Sequence, residues 1–265
     1  MAFNVKSWVL LVLACPLFGQ MGSGEAFGVS LDVSGNVISG VVVAGLEVGP
    51  VPLVQLVDQT TTDSQSSLLV DIDMMGHEAM ASDNIASVST AYDATIGAQE
   101  HLSGATIDNV DVLVDTTVAL NLLTLTATSL AAQAMVTGPC GSGGTGDLVE
   151  SGTVSIVDLS VSILGVAVES NLSGSAFTTI DLSTVAGLGV LGVTGSLTLN
   201  RVTVSDGGAT GSGSVEAVVL ELSLQAGATA LGLGNAAGVD LTIAFADAGR
   251  DCNSLPVGLV SFSVE

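Results

Sequence analysis

Positive charge is nearly missing from this chain of 265 residues: Lys6, Arg201 and Arg250 stand against 26 Asp and Glu, for a net charge of −23. Neutralising a phosphate backbone needs clustered Lys and Arg, so nucleic acid is excluded as a partner. Attraction to anionic lipid surfaces is excluded on the same ground. Aromatic residues are also scarce, at 3%, with Trp8 and Tyr92 the single Trp and Tyr. A transmembrane β-barrel carries aromatic girdles at both interfaces, and this chain has too few rings to build them. Cysteines number three, and no apolar run is long enough for a membrane-spanning helix. What is abundant is aliphatic. Hydrophobic residues make up 48% of the chain, far from the composition of an acidic disordered tail. The result is a chain able to bury a sizeable core beneath an acidic, self-repelling surface suited to solubility, divalent cations or salty surroundings.

The N-terminus reads "MAFNVKSWVLLVLACPLFGQMGSGEAFG". Lys6 supplies a short positive region, Trp8 to Phe18 an apolar stretch too short to span a bilayer, and Gly24 and Ala26 small residues before Phe27. This is the pattern of a secretory leader over residues 1–26, with 27–265 as one extracellular β domain. Val12-Leu13-Ala14 before Cys15 departs from a lipoprotein signal. The mature chain then keeps Cys140 and Cys252, an even count that favours a disulfide in an exported protein, with two free buried thiols as the alternative.

Alternation with period two dominates the rest. "VDLSVSI" sets Val157, Leu159, Val161 and Ile163 on one face, and "AVVLELSL" sets Val218, Leu220, Leu222 and Leu224 on another. "DLTIAFAD" offers Leu241, Ile243 and Phe245, and "LVSFSVE" offers Val260, Phe262 and Val264. In "LTLNRVTV" the apolar face passes from Leu197 and Leu199 to Val202 and Val204, a switch that requires a bulge at Asn200-Arg201. Clusters of Gly, Ser, Asn and Asp separate the runs. The pattern predicts an all-β chain, an antiparallel β-sandwich of jelly-roll type, with a β-solenoid as second choice. Within residues 76–100 the apolar spacing is irregular, and a short helix is the one departure that the sequence admits there.

Few motifs carry chemistry. Gly141, Gly143 and Gly146 spell G-x-G-x-x-G, yet the following "DLVESGTVSIVDLSVSI" is strand-like, and Asp147 and Glu150 would repel a pyrophosphate. The loop therefore reads as a turn, not a cofactor site. No G-x-S-x-G sits between a strand and a helix, so no catalytic residue is assigned. His77 and His101 fall in the irregular region and read as loop residues. Strand alternation would bring Asp71 and Asp73 to one face, and "DNVD" holds Asp108 and Asp111. These four carboxylates are the candidate ligands for Ca²⁺, the one cofactor the sequence admits, because hard cations take oxygen donors. Asn171-Leu172-Ser173 is a glycosylation sequon, and Arg201 is expected to pair with a carboxylate.

Taken in order, "VSLDVSGNVISGVVVAGLEVGPVPLV", "LTATSLAAQAMVTGPC", "SGTVSIVDLSVSILGVAV", "GSLTLNRVTVSDG" with "GSVEAVVLELSL", and "VDLTIAFADAGRDC" resemble the choice-of-anchor P family of secreted bacterial surface proteins over most of residues 26–252. The resemblance implies surface location and a Cys140–Cys252 bridge, and brings no catalytic residues. The closing "SLPVGLVSFSVE" departs from a sorting signal, which favours release or non-covalent attachment. The expected function is a secreted or cell-surface structural or adhesive protein without catalytic activity. Its expected partners are surface or matrix components, including other copies joined through the apolar "GLVSFSVE". An extracellular Ca²⁺- or carbohydrate-binding module is the alternative.

Overall fold

The computed structural model describes residues 22–35, 46–59, 62–67, 70–74, 77–93, 100–116, 120–138, 148–205, 208–224 and 237–252. They form thirteen strands: β1 (Gly22–Gly35), β2 (Leu46–Gln59), β3 (Thr62–Ser67), β4 (Val70–Met74), β5 (His77–Asp93), β6 (Glu100–Thr116), β7 (Leu120–Thr137), β8 (Val149–Ile163), β9 (Val166–Gly174), β10 (Thr178–Asp181), β11 (Val193–Ser205), β12 (Thr210–Leu224) and β13 (Ala237–Asp251). The chain is all-β in two antiparallel sheets. One has the order β10-β11-β12-β13-β1-β2, and the other β3-β5-β6-β7-β8-β9 with β4 also paired to β5. The segment admitted as a helix is the strand β5, because its many Ser and Thr residues pair readily across a sheet while they compete with helical backbone bonds.

Strand order corrects the expected topology. From β5 to β9, and again from β10 to β13, each strand pairs with the next in sequence, and β1 pairs with β13. This is a meander. The Greek-key connections of a jelly roll are absent among the described strands, and antiparallel pairing throughout rules out the parallel coils of a solenoid for them.

One core serves both sheets. β13 lies against β6 and β7, β12 against β7 and β8, and β1 against β5 and β6. The filling is aliphatic: Leu31, Ile107, Leu123, Leu125, Leu159, Leu197, Leu220 and Ile243 are all at or below 1% exposure. Two 3₁₀ turns, Leu182–Thr184 and Gly189–Leu191, insert the buried Leu182 and Leu188 into the same core. Asp181 caps the first, accepting hydrogen bonds from the Ser183 N–H (2.9 Å) and hydroxyl (2.6 Å).

Halfway along the strands runs a line of left-handed residues: Asn109, Asp158 and Asn171 in one sheet, Asn200 and Ala244 in the other, all with φ between 48° and 56°. Those at Asn109, Asp158, Asn200 and Ala244 shift the phase of their strands. On β11 the expected switch occurs: Asn200 turns, and Val202 faces the space between the sheets beside Gly152. On β8 the inward residues are Val154 and Ile156 and then Leu159, Val161 and Ile163, so Val157 leaves the face it was expected to share. On β13 the turn at Ala244 sends Phe245 outward and brings Ala246 and Ala248 into the core.

The expected boundary at residues 26 and 27 falls inside β1. Gly22 to Ala26 are paired with β13, and Ala26 is fully buried. Residues 258–265, expected to mediate self-association, lie outside the described residues.

Candidate functional site

The outward face of the six-stranded sheet gathers charge in rows, because directly paired residues on antiparallel strands project to the same side. In one row Glu221 of β12 stands opposite Asp240 of β13, which stands opposite Asp32 of β1, with Glu47 of β2 next in register. Burial raises the Asp240 carboxyl above its usual range, and Asp32 and Glu221 on either side raise it further. A second row pairs Asp247 with Glu25. Burial and then the Glu25 charge raise Asp247 in turn, and Glu25 accepts a 2.7 Å hydrogen bond from Gln55 Nε2.

Between the rows lies a third of different chemistry. Leu53, Phe27, Phe245, Glu216 and Arg201 follow one another across β2, β1, β13, β12 and β11. The Phe27 and Phe245 rings stack with centroids 4.6 Å apart and planes at 12°. Arg201 is paired as expected: its Nε and Nη2 donate to the two carboxylate oxygens of Glu216, the Nη2 bond at 2.6 Å. The two side chains are engaged with each other, and the Arg201 charge also acts on Glu221 of the first acidic row.

The outward face of the seven-stranded sheet is flatter. A shallow groove of about 330 Å³ crosses it, lined by Gly104, Thr106, Ala131, Gln133, Thr153 and Ser155. Nothing that titrates lines it. Nearby, Asp158 joins two neighbouring strands, accepting from Thr128 Oγ1 at 3.2 Å and from Ser173 Oγ at 3.3 Å.

At one end of the core the aliphatic filling gives way to polar side chains. His101 and Ser103 of β6 are fully buried and Arg250 of β13 is 3% exposed. Gly24 of β1 makes room for the first two: a β-carbon there would stand 2.3 Å from His101 Nε2 and 2.4 Å from Ser103 Oγ. Burial first, and then the Arg250 charge, lower His101 to a pKa of about 4. Arg250 Nη1 donates to the Gly138 carbonyl. Cys252, also fully buried, is disulfide-bonded.

The Ca²⁺ candidates lie on β4 and β6. Asp108 and Asp111 are both on β6 but separated by the left-handed Asn109. Asp71 shares a transverse row with Asp111, with Ala81 of β5 between them. The register shift between Ile72 and Asp73 leaves the extra residue, Ala79, on β5, and the side chains of Asp71 and Asp73 lie outside the described residues. Among the described residues no group of three or more His, Cys, Asp or Glu is arranged to hold a metal ion. Cys140 and Gly141 to Gly146 also fall outside them. The chain beyond is the strand β8, as the glycine-loop reading requires.

His101, expected in a loop, is a core residue. The signal is its parity: His101, Ser103, Ala105 and Ile107 alternate, and all four are buried. The carboxylate rows escape sequence reasoning for another reason, since register between distant strands is not written in any single run.

No family model and no curated protein matches the chain. Neither finding bears on the choice-of-anchor P resemblance. Among solved structures the chain is similar to "Crystal structure of the outer membrane protein OprG from Pseudomonas aeruginosa", at 10% identity over 88% of this chain and 94% of that one, with a TM-score of 0.20. The expected function, a secreted or cell-surface structural or adhesive protein with a Ca²⁺- or carbohydrate-binding module as the alternative, is corrected by that comparison, which matches an outer membrane protein. A likeness at this score supplies no fold or activity in their place.

Proposed function

We propose that the chain is a binding protein without catalytic activity, which presents the acidic outward face of its six-stranded sheet to a cationic peptide segment. The observation that carries this reading is the row Glu221–Asp240–Asp32. Like charges directly opposite one another on neighbouring strands destabilise a sheet, and the two cations among the described residues each hold another group. Arg201 holds Glu216, and Arg250 points into the core toward Gly138. Among the described residues the row has one partial counter-charge, Arg201 acting on Glu221, and a cationic segment bound from outside would supply the rest.

The scaffold we infer is a β-sandwich, its two inward faces closing on one core, with the bridge to Cys252 made by Cys140. Supporting that pairing, the Arg250–Gly138 bond joins positions two residues before each cysteine. Export to the cell surface, read from residues 1–26, accords with a face this acidic. Edge pairing between copies is disfavoured where β9 and β10 form the sheet edges. β9 carries three register shifts against β8, and β10 is four residues long, both devices that blunt an edge.

The test is calorimetric titration of the folded chain with decalysine at low salt. The pair Asp240→Asn with Glu221→Gln is expected to weaken binding about tenfold. A control pair of equal charge on the other sheet, Asp111→Asn with Glu169→Gln, is expected to weaken it less than twofold. Equal losses from the two pairs, or no binding at all, would overturn the reading.

A further inference from the structure

We propose that residues 260–264 of this chain form a further strand on the free half of β11, sealing a side window between the two sheets. β10 pairs with β11 only from Thr178↔Leu199 to Asp181↔Ser196. Among the described residues, 201–205 therefore have β12 on one side and no strand on the other. In the facing sheet β9 begins its pairing with β8 at Ile156↔Gly174, which leaves residues 149–155 open in the same way among the described residues. Residues 175–177 cross from one edge to the other, and the pairing of Leu148 with Gly208 closes the far end.

The border of this window is apolar. Of five exposed large hydrophobics among the described residues, four lie along it: Val149, Phe177, Val202 and Val204. Val202 and Val204 face inward. A β-carbon at Gly152 of β8 would stand 2.8 Å from Val202 Cγ1, and one at Gly213 of β12 would stand 3.6 Å from Val204 Cγ1. Yet these two valines keep 40% and 46% exposure. A free sheet edge beside exposed apolar side chains is a template for one more strand.

The chain carries a segment of the right chemistry and direction. In "VGLVSFSVE" Val260, Phe262 and Val264 alternate with Ser261 and Ser263, one face for the window and one for water. These residues lie outside the described residues, and the described chain leads into them at Cys252, whose N–H donates to the Ala209 carbonyl at 2.7 Å. β13 ends at this end of its sheet, with Asp251 opposite Thr210, and β11 ends there too, with Ser205 opposite Ser212. A segment that turns back from Cys252 along the window thus runs antiparallel to β11 and parallel to β8. Every described strand pairing is antiparallel, which selects β11.

The reach is sufficient. The free edge of β11 is three strand spacings from β13, roughly 14 Å, and residues 253–259 span roughly 23 Å when extended. Pro256 has no N–H to give a ladder and suits this crossing. On the opposite flank β2 lies against β3 and β5, so that edge is already covered. With Val260 opposite Val204, Phe262 stands opposite Val202, and Ser261 shares the outward face with Thr203.

Hydrogen exchange followed by mass spectrometry on the full chain tests the added strand. Residues 201–205 are expected to be protected, and deleting residues 257–265 should speed their exchange at least tenfold while residues 215–222 stay unchanged. Phe262→Asp should reproduce that loss at full chain length, whereas Ser261→Asp, on the water face, should not. Light scattering on the same samples separates the two sources of a strand. A monomer with residues 201–205 protected supports pairing within one chain, and protection that appears only in an oligomer assigns the edge to a second copy and overturns the proposal. Fast exchange at residues 201–205 in the parent, or slow exchange in both the parent and the deletion variant, overturns it as well.

Discussion

At Gly24 the strand β1 comes so close to β6 that a single methyl group has nowhere to go, with His101 Nε2 2.3 Å and Ser103 Oγ 2.4 Å from a built β-carbon. Overpacking of this kind costs about 1–3 kcal/mol, so Gly24→Ala should lower the thermal midpoint by several degrees. Gly104, on the outward face of β6, is the internal comparison. A β-carbon there meets the Ala132 carbonyl at an ordinary 3.6 Å, and Gly104→Ala should change stability by less than about 0.5 kcal/mol, as surface substitutions usually do. The pH dependence of stability belongs to the same scale. The folded pKa of His101, about 4, lies below the ordinary histidine value of 6.5. The stability held by the neutral ring is therefore complete above pH 6.5 and is lost as pH falls through 4, a change on the order of 3 kcal/mol. Asp240 and Asp247 act in the opposite sense. Their folded values are raised above 3.8, so the stability they contribute is present below pH 3.8 and is lost as pH rises through the folded values. Urea unfolding from pH 7 to pH 4 should show falling stability in the parent and a flatter course in His101→Gln.

Each strand is legible in the sequence up to the point where its phase changes. The alternation along β12 needs no structure to read: Val218, Leu220, Leu222 and Leu224 are buried as their spacing requires. The switch on β11 is legible too, because two polar residues, Asn200 and Arg201, interrupt the apolar count, although it comes from the left-handed Asn200 in unbroken register with β12 and not from the expected bulge. At Asp158 and Ala244 the same device is hidden. Val157 and Phe245 are apolar on the outward face, so counting apolar residues runs straight through the turn. The polar end of the core is obscured because a His and a Ser at inward positions read as loop, and the carboxylate rows because they arise from pairing strands as far apart in sequence as β1 and β13. The left-handed line makes its own demand on residue type. Asn109 has φ 48° and is exposed, a conformation that costs ordinary side chains about 1–2 kcal/mol. Asn109→Gly should be neutral or slightly stabilising, whereas Asn109→Val should destabilise by about that amount in urea titration.

For the whole molecule the meander has one closing seam, where the first strand of the described chain meets the last. β13 is held by β12 on one side and by β1 on the other, with thirteen residue pairs from Gly22↔Arg250 to Gly35↔Ala237 along that seam. Residues 22–26 supply its outer end, and they do three things there. They pair with Arg250 to Ala246, they bury Ala26, and through Gly24 they cover His101 and Ser103. A chain beginning at Phe27 would leave those β13 residues as an unpaired edge and expose the polar layer to water. A chain beginning at Gly22 would keep all three contacts. Comparing the two by thermal unfolding and exchange gives a decisive contrast. The shorter chain should melt several degrees lower and lose protection first at residues 101–103 and 248–251, with residues 121–130 still protected. Equal melting temperatures would mean that the seam beyond Phe27 contributes nothing to holding the two sheets together, and that the polar layer is closed by β6 and β13 alone.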